Sequence, residues 1–231
     1  MSLLSELLPP HCLLCGDFAA ERLALCHGCR GDLRTNRHAC SRCAEPLPAT
    51  GAAHPELSVC GRCLWHPPAF SAIHVPYRYV APLDWLLHRC KFSGDLAAGR
   101  ALGELLAGAL LPVLPPIDVI VPVPLHPSRL RQRGYNQAAE LARPLARALR
   151  APICHSALRR GGSATPQMQL PARDRRGNVQ RAFRVNRRLA GEHVLLLDDV
   201  VTTASTVSEA ARTLAATPEA RSITVAALAR A

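Results

Sequence analysis

Lysine is nearly missing from this 231-residue chain: of its 28 basic residues only Lys91 is a lysine, and the rest are arginine. Rings are scarce too, with four Phe, three Tyr and two Trp. A surface that stacks nucleic-acid bases can therefore draw on few positions, among them Trp65, Tyr77, Tyr79 and Tyr135. Long apolar runs are absent. The most apolar stretch, 102–114, is broken by Gly, Glu and Pro, which argues against a bilayer crossing. Residues 1–8 have no basic n-region and include Glu6, so no secretory signal is expected. These absences predict a cytoplasmic protein with no membrane insertion. Acids are also sparse where arginine is dense. Between Arg129 and Arg188 fifteen arginines face only Glu140 and Asp174, more positive charge than the net +11 of the whole chain. Such a patch suits polyanions, either nucleic acid or a pyrophosphate-bearing substrate.

Cysteine is abundant by contrast. Eight of the ten cysteines form C-x-x-C pairs: Cys12/Cys15, Cys26/Cys29, Cys40/Cys43 and Cys60/Cys63. In a reducing compartment such pairs point to metal rather than to disulfides. A two-residue spacing lets one tight turn aim both thiolates at one ion, and four thiolates close a tetrahedral zinc site. Two structural four-cysteine zinc sites in sequence order are the natural reading. A cross-braced pairing of alternate motifs satisfies the same spacing. The module has few large apolar residues, so metal supplies much of its folding energy. His11, His27, His38, His54 and His66 lie near the knuckles but read as surface residues. Cys90 and Cys154 stand alone and read as buried.

Composition shifts at His66-Pro67-Pro68, which sets expected domains of 1–68 and 69–231. Beyond it, residues 71–80 read as a strand or hairpin. Helices are expected from Pro82 to about Cys90 and from Leu96 to Leu111, separated at Gly94. A strand at 118–124 enters a Pro-rich loop carrying Arg129 to Asn136. A helix follows over 137–149, with Leu141, Leu145 and Leu149 inward and Pro144 kinking or dividing it. Ile153 to Leu158 reads as a short strand, and 160–181 as a polar, mobile, Arg-rich segment. Strands at 183–185, 194–197 and 223–228, with a helix ending near Ala215, complete the pattern. Strands alternating with helices imply an α/β fold with a mainly parallel sheet.

Two stretches carry the chemistry. In Val194-Leu195-Leu196-Leu197-Asp198-Asp199-Val200-Val201-Thr202-Thr203-Ala204-Ser205-Thr206, a buried strand delivers two carboxylates at its carboxyl end. A loop of small and hydroxylated residues then opens a helix. Ligands of open α/β sheets bind at this edge, and amides at a helix N-terminus cradle anions. Carboxylates beside a phosphate cradle suit sugar hydroxyls or hydrated Mg²⁺. The second stretch is Val121-Pro122-Val123-Pro124 with Arg131, Arg133, Gly134, Tyr135, Asn136 and Gln137. Its arginines pair with phosphate oxygens, and Gly134 permits close approach. The turn from Lys91 to Asp95 offers one more cation.

The first stretch resembles the phosphoribosyl pyrophosphate (PRPP) motif of type I phosphoribosyltransferases. That resemblance implies that Asp198 and Asp199 contact the ribose hydroxyls, while Thr202, Thr203, Ala204, Ser205 and Thr206 hold the 5′-phosphate. Ala204 departs from the Gly usual there, at a cost of about 1 kcal/mol if φ is positive. The second stretch resembles the pyrophosphate loop, with Arg131, Arg133, Gly134 and Asn136 as contacts. In order along the chain, the four C-x-x-C pairs, the Pro-Val-Pro-Leu and Arg-x-Arg-Gly-Tyr-Asn-Gln blocks, Thr165-Pro166-Gln167 with Leu170, Arg175 and Asn178, and the PRPP motif resemble the ComF/GntX family over nearly the whole chain. The family implies a double zinc ribbon joined to a type I phosphoribosyltransferase-like domain. It also implies a role in DNA uptake or use, in contact with internalised single-stranded DNA and with competence or DNA-processing proteins. By the same resemblance 160–181 is a loop closing over PRPP, where Arg173, Arg175 and Arg176 neutralise pyrophosphate.

Two functions follow. One is a PRPP-binding protein that handles single-stranded DNA on its basic surface. The other is an active transferase moving ribose 5-phosphate from Mg²⁺·PRPP to a nitrogen acceptor. No general base is evident, and no C-terminal hood is expected after the last strand to select a base.

Overall fold

The computed structural model describes residues 11–19, 23–48, 58–161, 182–187, 189, 192–216 and 220–231. Seven helices occur among them: α1 (His27–Gly31), α2 (Gly61–Trp65), α3 (Leu83–Phe92), α4 (Leu96–Leu110), α5 (Pro127–Arg133), α6 (Gln137–Leu149) and α7 (Ser205–Ala215). The strands are β1 (Ala72–His74), β2 (Tyr77–Arg78), β3 (Val119–Pro122), β4 (Leu158–Arg160), β5 (Phe183–Val185), β6 (Glu192–Val201) and β7 (Ala220–Arg230).

The main sheet runs β1-β7-β6-β3, and β2 continues β1 along the same edge of β7. Every pairing in it is parallel. A parallel sheet needs cover on both faces, and its central strands read as unbroken apolar runs for that reason. On one face Val119, Val121, Val194, Leu196, Ile223 and Val225 pack with Val207, Ala210 and Leu214 of α7. On the other Ile120, Leu195, Leu197 and Leu228 pack with α3, α4 and α6. α4 and α6 approach closely because Gly103 has no side chain. A Cβ there would lie 3.0 Å from the Leu141 carbonyl and from the Pro144 ring. Pro144 sits inside a helix that runs unbroken over 137–149, so it does not divide α6.

The structure differs from expectation in three places. The stretch 71–80 is no hairpin, because β1 and β2 both run parallel to β7. The region 153–158 splits: Ile153 bridges Ile120, while Leu158 starts a separate antiparallel ribbon with β5. Leu149, expected inward, is half-buried and packs against the core of α3, α4 and α6. The Arg-rich loop after β3 is helical over Pro127–Arg133, opened by Pro127 in the first turn and closed by Gly134 at φ 83°.

The cysteine-rich segment clasps both faces of the sheet. Cys12, Leu25 and Leu33 join the core of α3 and α4, whereas Cys40, Cys43 and Cys63 join the core beneath α7. Backbone bonds tie the segment to the β2 edge: Arg78 N donates to Arg34 O at 2.8 Å, and Asn36 N to Pro76 O at 2.8 Å. No helix among the described residues is long and apolar enough to cross a membrane.

Candidate functional site

The acidic pair lies at the carboxyl end of β6, where Asp198 still pairs with Ala227 of β7. Alternation along a strand sends neighbouring side chains to opposite faces. Asp199 turns toward α3, and its Oδ2 lies 2.9 Å from Lys91 Nζ. Asp198 shares its parity with Leu196 and turns toward the α7 face. Burial, with the Asp199 charge beside it, pushes the Asp198 carboxyl up to about 8, against the opposing pull of Lys91. Across the site, burial and neighbouring Arg129 disfavour the charge on Arg160, and Asp198 favours it. Arg160 ends β4 and packs its guanidinium 5.4 Å from the Phe183 ring.

Beyond the acids the chain turns sharply. Ala204 adopts φ 58°, ψ 5°, and caps α7 with no side-chain hydrogen bond. In this left-handed turn an alanine is strained where a glycine would not be. Thr203 Oγ1 and Ser205 Oγ lie 2.9 Å apart, and Ser205 N reaches Thr203 Oγ1 at 3.5 Å. The first amides of α7 have no acceptor within the helix. Thr202 and Thr203 are exposed, and Ser205 and Thr206 are half-buried.

The second stretch reaches the same sheet edge. Pro122 pairs with Leu197, and Val123 N donates to Leu197 O at 2.8 Å. Asn136 ties the return: its Nδ2 donates to Val123 O at 2.9 Å and its Oδ1 accepts from Ala138 N at 3.1 Å. Both ends of that side chain are thus engaged in holding the backbone. Arg131 and Arg133 project from the last turn of α5, and Arg133 lies 5.2 Å over Phe92. The α3 end therefore touches both stretches, through Lys91 and Phe92. Tyr135 donates its hydroxyl to the Cys90 carbonyl, and burial pushes the Cys90 thiol up to about 11. Cys90 and Cys154 are buried, as expected. Arg173, Arg175 and Arg176 lie outside the described residues.

Sequence reasoning passed over Arg160 and Phe92. Arg160 was hidden in the general arginine cluster, and only the β4–β5 ribbon brings it to Asp198. The Lys91–Asp95 turn did signal its cation, which the structure pairs with Asp199.

The cysteines form two clusters in sequence order: Cys12, Cys15, Cys26 and Cys29, then Cys40, Cys43, Cys60 and Cys63. Within each cluster all sulfurs lie within 4.8 Å of one another. This selects the sequential pairing over the cross-braced one. A tetrahedron with Zn–S of about 2.3 Å has edges of about 3.8 Å. Cys15 and Cys26 sulfurs are 3.7 Å apart, and those of Cys43 and Cys60 are 3.6 Å apart. Burial opposes ionisation of Cys12, but the amides of Cys15, Cys26 and Leu14 outweigh it and pull the thiol down to about 6. Cys40 is likewise pulled down to about 7 against burial, by amides of Cys60, Arg42 and Cys43. Sites with this geometry and this donor set fit structural zinc. No histidine joins either cluster among the described residues.

Fold and clusters together define a mixed α/β protein carrying an N-terminal double zinc ribbon. A family model for the double zinc ribbon domain matches residues 3–64. DNA utilization protein YhgH of Escherichia coli (strain K12) is 37% identical over 217 residues, covering 89% of this chain and 91% of that protein. Competence protein F of Haemophilus influenzae is 32% identical over 88% of this chain and 90% of its own length. Competence protein ComFC of Bacillus subtilis is 28% identical over 86% and 81%. A purine phosphoribosyltransferase from Pyrococcus horikoshii Ot3 overlays on 63% of this chain and 74% of its own, at 19% identity and a TM-score of 0.32. The chain belongs to the ComF/GntX family of competence and DNA-utilization proteins.

Proposed function

We propose that the β6 edge binds PRPP with Mg²⁺, and that the protein uses this pocket while handling single-stranded DNA in uptake or utilization. The observation that carries the reading is the succession, along one short stretch of chain, of the acidic pair, a left-handed turn and an uncapped helix start. Asp198 and Asp199 are suited to accept hydrogen bonds from ribose hydroxyls. Backbone amides and hydroxyls of 202–206 are suited to a 5′-phosphate. Lys91 neutralises Asp199 and can turn to an incoming anion. Arg131 and Arg133, on the adjacent α5, supply positive charge where pyrophosphate would lie, while Gly134 keeps the backbone approach open and Asn136 fixes it. Mg²⁺ arriving with PRPP offsets the remaining pyrophosphate charge. Arg173, Arg175 and Arg176, outside the described residues, would add positive charge for the departing pyrophosphate. The names of the relatives support the DNA side of the reading.

Replacing both Asp198 and Asp199 by Asn tests the pocket. PRPP binding is expected to disappear in a variant that keeps its circular dichroism and metal content. Unchanged affinity rejects the assignment.

A further inference from the structure

The outer face of α3 carries rings that serve no core. Leu83, Leu86, Leu87 and Cys90 fill the inner face. Trp85, His88 and Phe92 fall at i, i+3 and i+7, which places them together on the opposite side. Trp85 is 48% exposed and Phe92 67% exposed, in a chain with only nine Phe, Tyr and Trp. The His88 and Phe92 rings sit 4.7 Å apart and tilted. A guanidinium covers each end: Arg89 lies 4.7 Å over Trp85, and Arg133 lies 5.2 Å over Phe92. Arg89 is also paired with Asp95, and Asp84 is the one acid on α3 itself. Arg129 and Arg131 of α5, close in sequence to Arg133, are exposed. At about 1.5 Å of rise per residue, Trp85 and Phe92 are about 10 Å apart along the helix. That is close to three base steps of about 3.4 Å. The row ends beside Lys91, which meets the acidic pair.

We infer that this face is a track for single-stranded nucleic acid, with bases stacking on Trp85, His88 and Phe92 and phosphates meeting the α5 arginines. Stacking rings with interleaved cations bind open bases with little sequence preference, and a duplex hides the base faces that they need. The track leads one end of the strand to the acidic pair. The inference rests on the DNA-handling half of the proposed function and not on the PRPP half.

The test uses the full-length, zinc-loaded protein and an oligothymidylate. Trp65 and Trp85 are the two tryptophans, so a Trp65→Phe background leaves Trp85 as the reporter. Saturable quenching of Trp85 is expected, with a midpoint matching fluorescence anisotropy of the labelled oligonucleotide. In the otherwise unchanged protein, Trp85→Ala with Phe92→Ala should weaken oligonucleotide binding at least tenfold. The conservative pair Trp85→Phe with Phe92→Tyr should restore most of it, and Trp85→Ala alone should leave Mg²⁺·PRPP affinity as in the parent. Oligonucleotide binding with Trp85 unquenched would place the strand elsewhere and overturn the track. Equal affinity for duplex, or an alanine pair that binds like the parent, would also overturn it. A parent that binds PRPP but no oligonucleotide would overturn the track while leaving the pocket standing. The reverse result would remove the pocket and keep the track.

Discussion

Ala204 and Asp198 are the two residues at which the site departs most from a relaxed fold. Ala204 holds φ 58°, where a Cβ is crowded and glycine is not. Ala204→Gly removes that strain but adds freedom to the unfolded chain. A net gain of roughly 0.5 kcal/mol is expected, read as a higher denaturant midpoint. A lower midpoint would mean that the alanine methyl contributes more by its burial than it costs by strain. Asp198 is raised to about 8 from an ordinary value of 3.8. The folded chain thus keeps a proton that the unfolded chain gives up, so this group's contribution to stability falls as pH rises from about 4 to about 8. Asp198→Asn cannot titrate. Its melting temperature should match the parent's near pH 4 and exceed it increasingly toward pH 8. A constant gap at all pH values would contradict the raised carboxyl. An ionised Asp198 accepts hydrogen bonds from ribose hydroxyls more strongly than a protonated one, so Mg²⁺·PRPP affinity should climb as pH rises toward about 8 and then flatten.

Among the elements, the apolar strands were the most legible. The four-residue run at 194–197 announced a strand buried on both faces, and the hydroxyl-rich turn after Asp199 announced the helix start. What local patterns could not supply was partner choice. Residues 71–80 alternate like a hairpin strand, yet the vacant edge of β7 takes them in parallel. The stretch from Pro127 to Arg133 lacks an apolar stripe, so periodicity alone reads it as a loop. Its helix comes instead from a proline in the first turn and glycine at the end. Its place in the motif marks Asn136 as an anion contact. Its observed hydrogen bonds explain that place by helix capping and by a tie to Val123. Asn136→Ala should lower stability by about 1 kcal/mol, as for other caps, in thermal unfolding. The α3 ring row escaped notice because the expected helix ended near Cys90, which left Phe92 in the turn that follows, whereas the helix runs on to Phe92.

Across the whole molecule, the two cysteine clusters act on opposite faces of one sheet. Cysteine spacing defined the clusters, but their seat on the sheet depends on long-range contacts that no local signal contains. Chelation should therefore release both cores, beyond the zinc ribbons themselves. Cys12→Ser should lower zinc from two equivalents to one and loosen the α3–α4 side, while Cys40→Ser should loosen the α7 side. Full metal occupancy in either variant would refute the ligand set. A single ion pair also ties the second cluster to the site. Buried Arg230 pairs with Glu45, and its Nη1 donates to Val201 O at 3.3 Å, one residue before the phosphate loop. Arg62 lies 3.6 Å from the same Glu45 carboxylate and donates toward Cys43 Sγ at 3.8 Å. Glu45→Ala would strand the Arg230 charge in the core. A loss of about 2 kcal/mol is expected, less than for a fully buried pair because Glu45 is 42% exposed. The pocket itself is tested most directly by calorimetric titration of the zinc-replete protein with Mg²⁺·PRPP. The account predicts saturable binding at one site, abolished when Asp198 and Asp199 are both changed to Asn. A folded, zinc-loaded protein that shows no binding would contradict it.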